Sequence, residues 1–299
     1  GWRPPTATTG GSWPCCATWR AEVRRRLFRS WVAHPPRPLS PAGRRGLVGI
    51  GLVMTAAVVG AAGLVAVNAM ARQTVREEHT YAFKGTAVSI DVAVGEVQIV
   101  PGKAGEITVA RRLTYGLRRP FVEERIDGDT FRVSDQRCSV DVAFPCSVRW
   151  LLQVPRDLAV EVRTVSGSIT VSGLSGRIKL TSETGAVKAL APSGPLVTLR
   201  SRDGAVTAQN VSSAQVVATS DNGAVSLTFR SPPSLVVGRS QSGPIGIVLP
   251  EGDDAYKISA KSQSGSKTVA VPKTSDDARR RIDVLSATGD VSVFQNTEG

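Results

Sequence analysis

The segments VTLRSRDGAVTA (residues 197–208) and VVATSDNGAVSL (residues 216–227) are two copies of one pattern, and aligning them on Gly204 and Gly223 brings out five more. The seven aligned glycines are Gly167, Gly185, Gly204, Gly223, Gly243, Gly265 and Gly289, spaced 18, 19, 19, 20, 22 and 24 residues apart. Seven positions upstream stands a β-branched residue each time: Val160, Ile178, Val197, Val216, Val236, Ile258 or Ile282. Three positions upstream stands a hydroxyl: Thr164, Ser182, Ser201, Ser220, Ser240, Ser262 or Ser286. Apolar residues alternate at −7 and −5 and again at +2 and +4, the period-2 mark of strands with one buried face. A polar residue before each glycine favours a turn between those strands.

A fixed period near twenty residues is the signature of a solenoid, whose units bury their apolar faces only against neighbours. The expected fold class is therefore all-β: a β-solenoid of stacked strand–turn–strand coils, each of about 19 residues. Seven coils at about 4.8 Å each predict a core of roughly 34 Å. The −3 hydroxyls should stack as a ladder that fixes register. The sixth copy breaks the pattern, with Lys267 at +2, so the C-terminal coils should be less regular.

Upstream, VSIDVAVGEVQI (residues 88–99) matches at −7, −5, +2 and +4 around Gly95, with Val92 in place of the hydroxyl, and reads as a first coil or cap. Residues 107–109, 121–126 and 131–133 read as further strands, the last two joined through Asp127-Gly128-Asp129, a hairpin signal. Cys138 and Cys146 are the two cysteines downstream of the apolar segment described next, and each is the other's natural disulfide partner. Closing that loop would stabilise the fold by about 2.6 kcal/mol.

From residue 46 to residue 67 run 22 residues without a charge. As a helix they span about 33 Å, enough for a hydrocarbon core near 30 Å. Residues 1–45 hold nine arginines and one acid, a net of +8. The positive-inside rule then places them in the cytoplasm and the β-region outside. A cleaved signal peptide is the rival reading, since Ala69-Met70-Ala71 resembles a cleavage site; the length of the apolar run favours a retained anchor. The expected organisation is a basic cytoplasmic tail (1–45), a single transmembrane α-helix (46–70), a linker (71–80) and an extracytoplasmic β-domain (81–299). Within the tail, residues 19–32 read either as an amphipathic helix on the anionic leaflet or as a disordered, topology-setting arm.

The net charge of +12 invites a nucleic-acid reading, but the residues beyond the tail carry only +4 and few aromatics, so no nucleic-acid partner is expected. His79 is the only histidine after the tail, which leaves no histidine-based acid–base pair in the β-region. Glu183, Asp203 and Asp221 fall at the turns of successive coils; Glu183 and Asp221, two coils or about 9.6 Å apart, could suit an inverting glycosidase. Against that, no aromatic sugar platform accompanies them, and acids beside turn glycines are ordinary turn formers. No cofactor or metal set is indicated.

With its Gly-Glu-Val strand (residues 95–97), its Cys-Ser-Val segment ending in a strand and proline (residues 146–155) and its Ser-Gly-x-Ile/Val repeats, the chain resembles the adhesin-like DUF4097 domain of bacterial membrane proteins over about residues 80–295. The resemblance implies a surface-exposed β-solenoid behind one membrane helix, non-enzymatic, with no catalytic residues to carry over. The expected partners are the lipid bilayer and a protein or glycan of the cell envelope, bound by weak polar contacts through the hydroxyl ladder and turn edges. The alternatives are an envelope-stress or signalling component acting through the arginine-rich tail, and a β-helix carbohydrate-active enzyme.

Overall fold

The computed structural model describes residues 41–70, 72–116, 119–135 and 146–296, without the side chains of 41–49, 51 and 68–69. The basic tail (1–40 of it), Cys15, Cys16 and Cys138 lie outside the described residues. Helix α1 is Pro41–Met70. Its described side chains from Leu52 to Val67 are exposed and almost wholly apolar. Counted over the described residues, no helix is long and apolar enough to cross a membrane.

The β-region forms two ladders, one from strands before each turn glycine and one from strands after it. The pre-turn ladder runs β4 (Val122–Asp127), β5 (Thr130–Asp135), the first half of β2 (Ala87–Pro101), β7 (Ala159–Ser166), β9 (Ile178–Thr184), β11 (Leu196–Ser201), β13 (Gln215–Ser220), β15 (Leu235–Ser240), β19 (Arg280–Ser286) and β17 (Tyr256–Ser262). The post-turn ladder runs β1 (Gln73–Ala82), β3 (Glu106–Tyr115), β6 (Ser147–Val154), the second half of β2, β8 (Ile169–Ser172), β10 (Val187–Leu190), β12 (Val206–Val211), β14 (Val225–Phe229), β16 (Ile245–Leu249), β20 (Val291–Gln295) and β18 (Lys267–Ala270). All pairings are parallel except β1–β3, β3–β6 and β4–β5. The −7, −5, +2 and +4 residues of the stacked copies point inward: Val197, Leu199, Val206 and Ala208 are fully buried, as are Val216, Ala218 and Leu227.

The turn glycines stand in one column. A Cβ built on Gly185 would lie 2.1 Å from the Gly167 carbonyl oxygen, one on Gly204 2.1 Å from that of Gly185, and one on Gly223 2.3 Å from that of Gly204. Only Gly167 and Gly185 among the seven have φ in the positive region. Glycine is required here chiefly by the close approach of one coil's backbone to the next, and only secondarily by turn conformation.

Coil order departs from chain order at the C-terminal end. Copy seven, β19 and β20, pairs directly with copy five, β15 and β16. Copy six, β17 and β18, stacks outside copy seven. The reason is chemical: an inward Lys267 cannot be buried between two coils, whereas Val291 and Val293 of copy seven can and are, at 1% and 0% exposure. Every residue of β18 is exposed, and a lysine on an outermost strand also discourages edge-to-edge pairing.

At the other end, β2 is the first full coil, with Val92 in register with Thr164. The segment 71–80, expected as a linker, holds most of β1, which pairs with β3 along ten residues. Period-2 apolar alternation is missing from β1 because its inward positions are partly polar. Glu77 accepts from Arg111 Nε at 2.7 Å and from Arg119. Glu124 on β4, its side chain 4% exposed, takes the other side of Arg111 and the Tyr81 hydroxyl at 2.7 Å, with His79 Nδ1 3.5 Å away. Burial first, and then Glu124, push Tyr81 up to about 12. This network ties the β4–β5 hairpin of one ladder to the antiparallel strands of the other.

Candidate functional site

The −3 hydroxyls do form a column, but one turned away from solvent. Ser182, Ser201, Ser220, Ser240 and Ser286 are 0–6% exposed. Each donates to the turn-glycine carbonyl of the neighbouring coil: Ser201 to Gly185 at 2.9 Å, Ser220 to Gly204 at 2.9 Å, Ser286 to Gly243 at 3.0 Å. Ser240, Ser262 and Ser286 also accept from their own glycine N–H, three residues on, at 2.8–2.9 Å. The hydroxyl thus welds the turn to itself and to its neighbour. In the five buried serines it is a register device turned away from solvent, which corrects the expectation of binding through this ladder.

Two of the three turn-edge acids, Asp203 and Glu183, are held by Arg202. Its side chain reaches Asp203 at 3.1 Å and Glu183 at 3.5 Å, and Asn222 Nδ2 donates to Asp203 at 2.6 Å. The Asn222 amide and then Arg202 hold the Asp203 carboxyl below the usual carboxylate range. Among the described residues no group of three His, Cys, Asp or Glu could hold a metal ion. Cys146 is disulfide-bonded, and Cys138, its expected partner, lies outside the described residues.

The outer face of the pre-turn ladder carries the charge. Aligned on the turn glycines, position −4 reads Arg163, Thr181, Arg200, Thr219, Arg239, then Leu285 and Lys261 in spatial order, each in register with the next. The −5 and −3 neighbours point into the core, so this row points to solvent. A cation therefore recurs on every second coil, about 9.6 Å apart, with a threonine or leucine between. At the β5 end the row opens into a shallow cleft of about 590 Å³ whose charged lining is Asp91, Arg132, Glu161, Arg163, Arg177 and Lys179. Arg163 and Lys179 clamp Glu161 at 2.8 and 3.1 Å. Arg163 first, then Lys179, lower the Glu161 carboxyl, which keeps it ionised. Arg239 is paired with Asp283 at 2.9 Å, whereas Arg200 has no ion-pair partner among the described residues. The −4 alternation is readable in the aligned repeats, yet only the register shows that it forms a continuous line.

These features define a class: an all-β parallel solenoid whose repeats build a shared core and whose outer faces carry the charged side chains. The chain belongs to the Toastrack DUF4097 family, whose model matches residues 86–298. Among solved structures it is similar to a candidate adhesin from Bacteroides fragilis, with 12% identity over 74% of this chain and 97% of that one and a TM-score of 0.43. A candidate cell adhesion protein from Clostridium sporogenes shares 11% identity over 75% of this chain and 100% of that one, with a TM-score of 0.37. A candidate lipid-binding protein from Parabacteroides distasonis shares 10% over 73% and 96%, with a TM-score of 0.26. No curated protein matches the chain.

Proposed function

We propose that this chain is a non-enzymatic, adhesin-like binding module, anchored in a bacterial cell membrane through residues 46–70 and displaying its solenoid outside the membrane. The 22-residue uncharged run and the arginines that precede it support the anchor and its orientation. The observation that carries the binding reading is the cationic row at −4, running from the 590 Å³ cleft along the pre-turn face. Solenoids bind along such extended faces through many modest contacts, and the partner that complements this row is an anionic protein or glycan of the envelope.

The test is retention of intact cell-envelope fragments by the full chain. Replacing Arg163 and Arg200 with glutamate should reduce retention at least tenfold, and wild-type retention should fall steeply with salt. Glu161→Gln, which frees Arg163 and Lys179, should strengthen it. Equal retention by all three proteins at all salt concentrations overturns the binding reading. Protease accessibility on intact cells tests the anchor separately: digestion of the β-domain with survival of a membrane-held N-terminal fragment is the expected pattern.

A further inference from the structure

The opposite face of the molecule carries a second array. Strands β1, β3, β6 and β2 lie side by side, and their register places Arg76 opposite Arg112, Arg112 opposite Arg149, and Arg149 opposite Glu96. All four side chains point outward, since the next residues Leu113, Val148 and Val97 are buried on the core side and Val75 is half-buried. One step along, Thr74, Thr114 and Ser147 form a parallel row of hydroxyls, each two residues from the arginine on its own strand. The result is three guanidiniums beside three hydroxyls, with adjacent strands about 4.8 Å apart.

Stability does not account for this arrangement. Like charges directly opposite each other on neighbouring strands destabilise a sheet. Arg149 is relieved by Glu96 at 2.9 Å, but Arg76 and Arg112 have no ion-pair partner among the described residues. Among the described residues Thr74 and Thr114 offer their hydroxyls only to each other, at 3.4 Å. A groove of about 390 Å³ runs along the Arg112–Arg149 part of the array, lined by Arg112, Thr114, Ser147, Arg149, Glu96 and Thr74, with Arg76 one strand beyond Arg112. Forked guanidinium donors with hydroxyl donors beside them suit a tetrahedral oxyanion, above all a phosphate.

The position of the array along the chain narrows the source of that phosphate. Arg76 is six residues after Met70, the last residue of α1, so an extended chain keeps it within about 20 Å of the helix end. We propose that the Arg76–Arg112–Arg149 array binds the phosphate of an anionic phospholipid headgroup in the leaflet from which the domain emerges. The choice of lipid over free phosphate rests on the anchor reading; the phosphate chemistry itself does not. Docking here would hold the N-terminal end of the solenoid at the membrane surface and leave the pre-turn cationic face turned to the envelope.

The test uses the full chain in neutral detergent micelles, titrated by calorimetry with short-chain phosphatidylglycerol, short-chain phosphatidylcholine and inorganic phosphate. Saturable binding of one phosphatidylglycerol per chain is expected, with phosphatidylcholine at least tenfold weaker. Arg112→Gln should weaken phosphatidylglycerol binding about tenfold or more, and Arg112→Lys less, because charge survives without the fork. Glu96→Gln should strengthen binding, since it frees Arg149 and removes the anion that competes for it; a merely structural pair would not give that sign. Arg230→Gln, at an exposed position in neither cationic array, should leave phosphatidylglycerol binding unchanged. Equal binding by wild type and Arg112→Gln overturns the site, and inorganic phosphate binding as tightly as the lipid overturns the headgroup assignment. Failure of the anchor would show up independently, as release of the chain from membranes by alkaline carbonate.

Discussion

Gly223→Ala should be among the most damaging single-methyl changes in this protein. The new Cβ would sit 2.3 Å from the Gly204 carbonyl oxygen, 2.5 Å from its carbon and 2.8 Å from Ser220 Oγ. Two of those atoms are backbone of the neighbouring coil, held by parallel ladders on both sides, so relief requires prising coils apart by most of an ångström. Gly223 itself lies beneath Gly243, whose own Cβ would stand 2.1 Å from the Gly223 oxygen, so a shift in one turn is passed to the next. Overpacking a rigid site costs about 1–3 kcal/mol and sometimes more; with backbone on the receiving side, about 3 kcal/mol is expected. For a domain of this size that lowers the melting temperature by roughly 6–12 °C. Gly246→Ala is the control: its Cβ would meet nothing nearer than Ser292 Oγ at 3.6 Å, and its φ lies outside the positive region. Alanine there should be neutral or stabilising by up to about 1 kcal/mol. Thermal and urea unfolding of the two variants, side by side, decides the matter. Similar losses in both would refute the close-approach account of the glycine column.

Ser240→Ala removes a donor to Gly223 O and an acceptor for Gly243 N–H in a buried turn, so a loss of about 1–3 kcal/mol in urea unfolding is expected. Asp135 is buried with one carboxylate oxygen that has no hydrogen-bond partner among the described residues while the other accepts from Ala93 N–H at 2.7 Å, and burial raises its pKa. A carboxyl raised by folding destabilises the fold once it ionises, so Asp135→Asn should raise the melting temperature at pH 7, and the gain should fade as pH falls through the carboxylate range. Arg111→Met leaves Glu124 buried without its cation, so a loss of about 3–5 kcal/mol is expected in the same assay.

The repeat unit was open to sequence reading because each coil meets the same surroundings, and so the same residue types recur around each glycine. What lay beyond reach were relations between coils. The hydroxyl at −3 is visible in every copy, but its partner is a carbonyl of the adjacent coil, 15–17 residues upstream for Ser182, Ser201, Ser220 and Ser240, 43 upstream for Ser286 and 27 downstream for Ser262, and nothing in a single copy points to it. The placing of copy seven inside copy six follows from Lys267, a residue that sequence reading marks as irregular; irregularity becomes position only when the alternative, Val291 and Val293, is weighed for the same slot. Strand β1 escaped because its inward residues Glu77 and Tyr81 are satisfied by Arg111 and Glu124, from strands far along the chain. The arginine row on that face was likewise invisible, since Arg76, Arg112 and Arg149 come together only through antiparallel register.

The stacking order is best tested by paired cysteines at outward positions. Val237 is the register partner of Asp283 across β15 and β19, and Asp283 in turn of Ser259 across β19 and β17. Val237→Cys with Asp283→Cys should close a disulfide readily under mild oxidation. Val237→Cys with Ser259→Cys should not, because two coils separate them by about 9.6 Å, beyond the reach of a disulfide. Closure of the second pair and not the first would mean that the coils stack in chain order, and closure of neither would contradict the stacked solenoid itself.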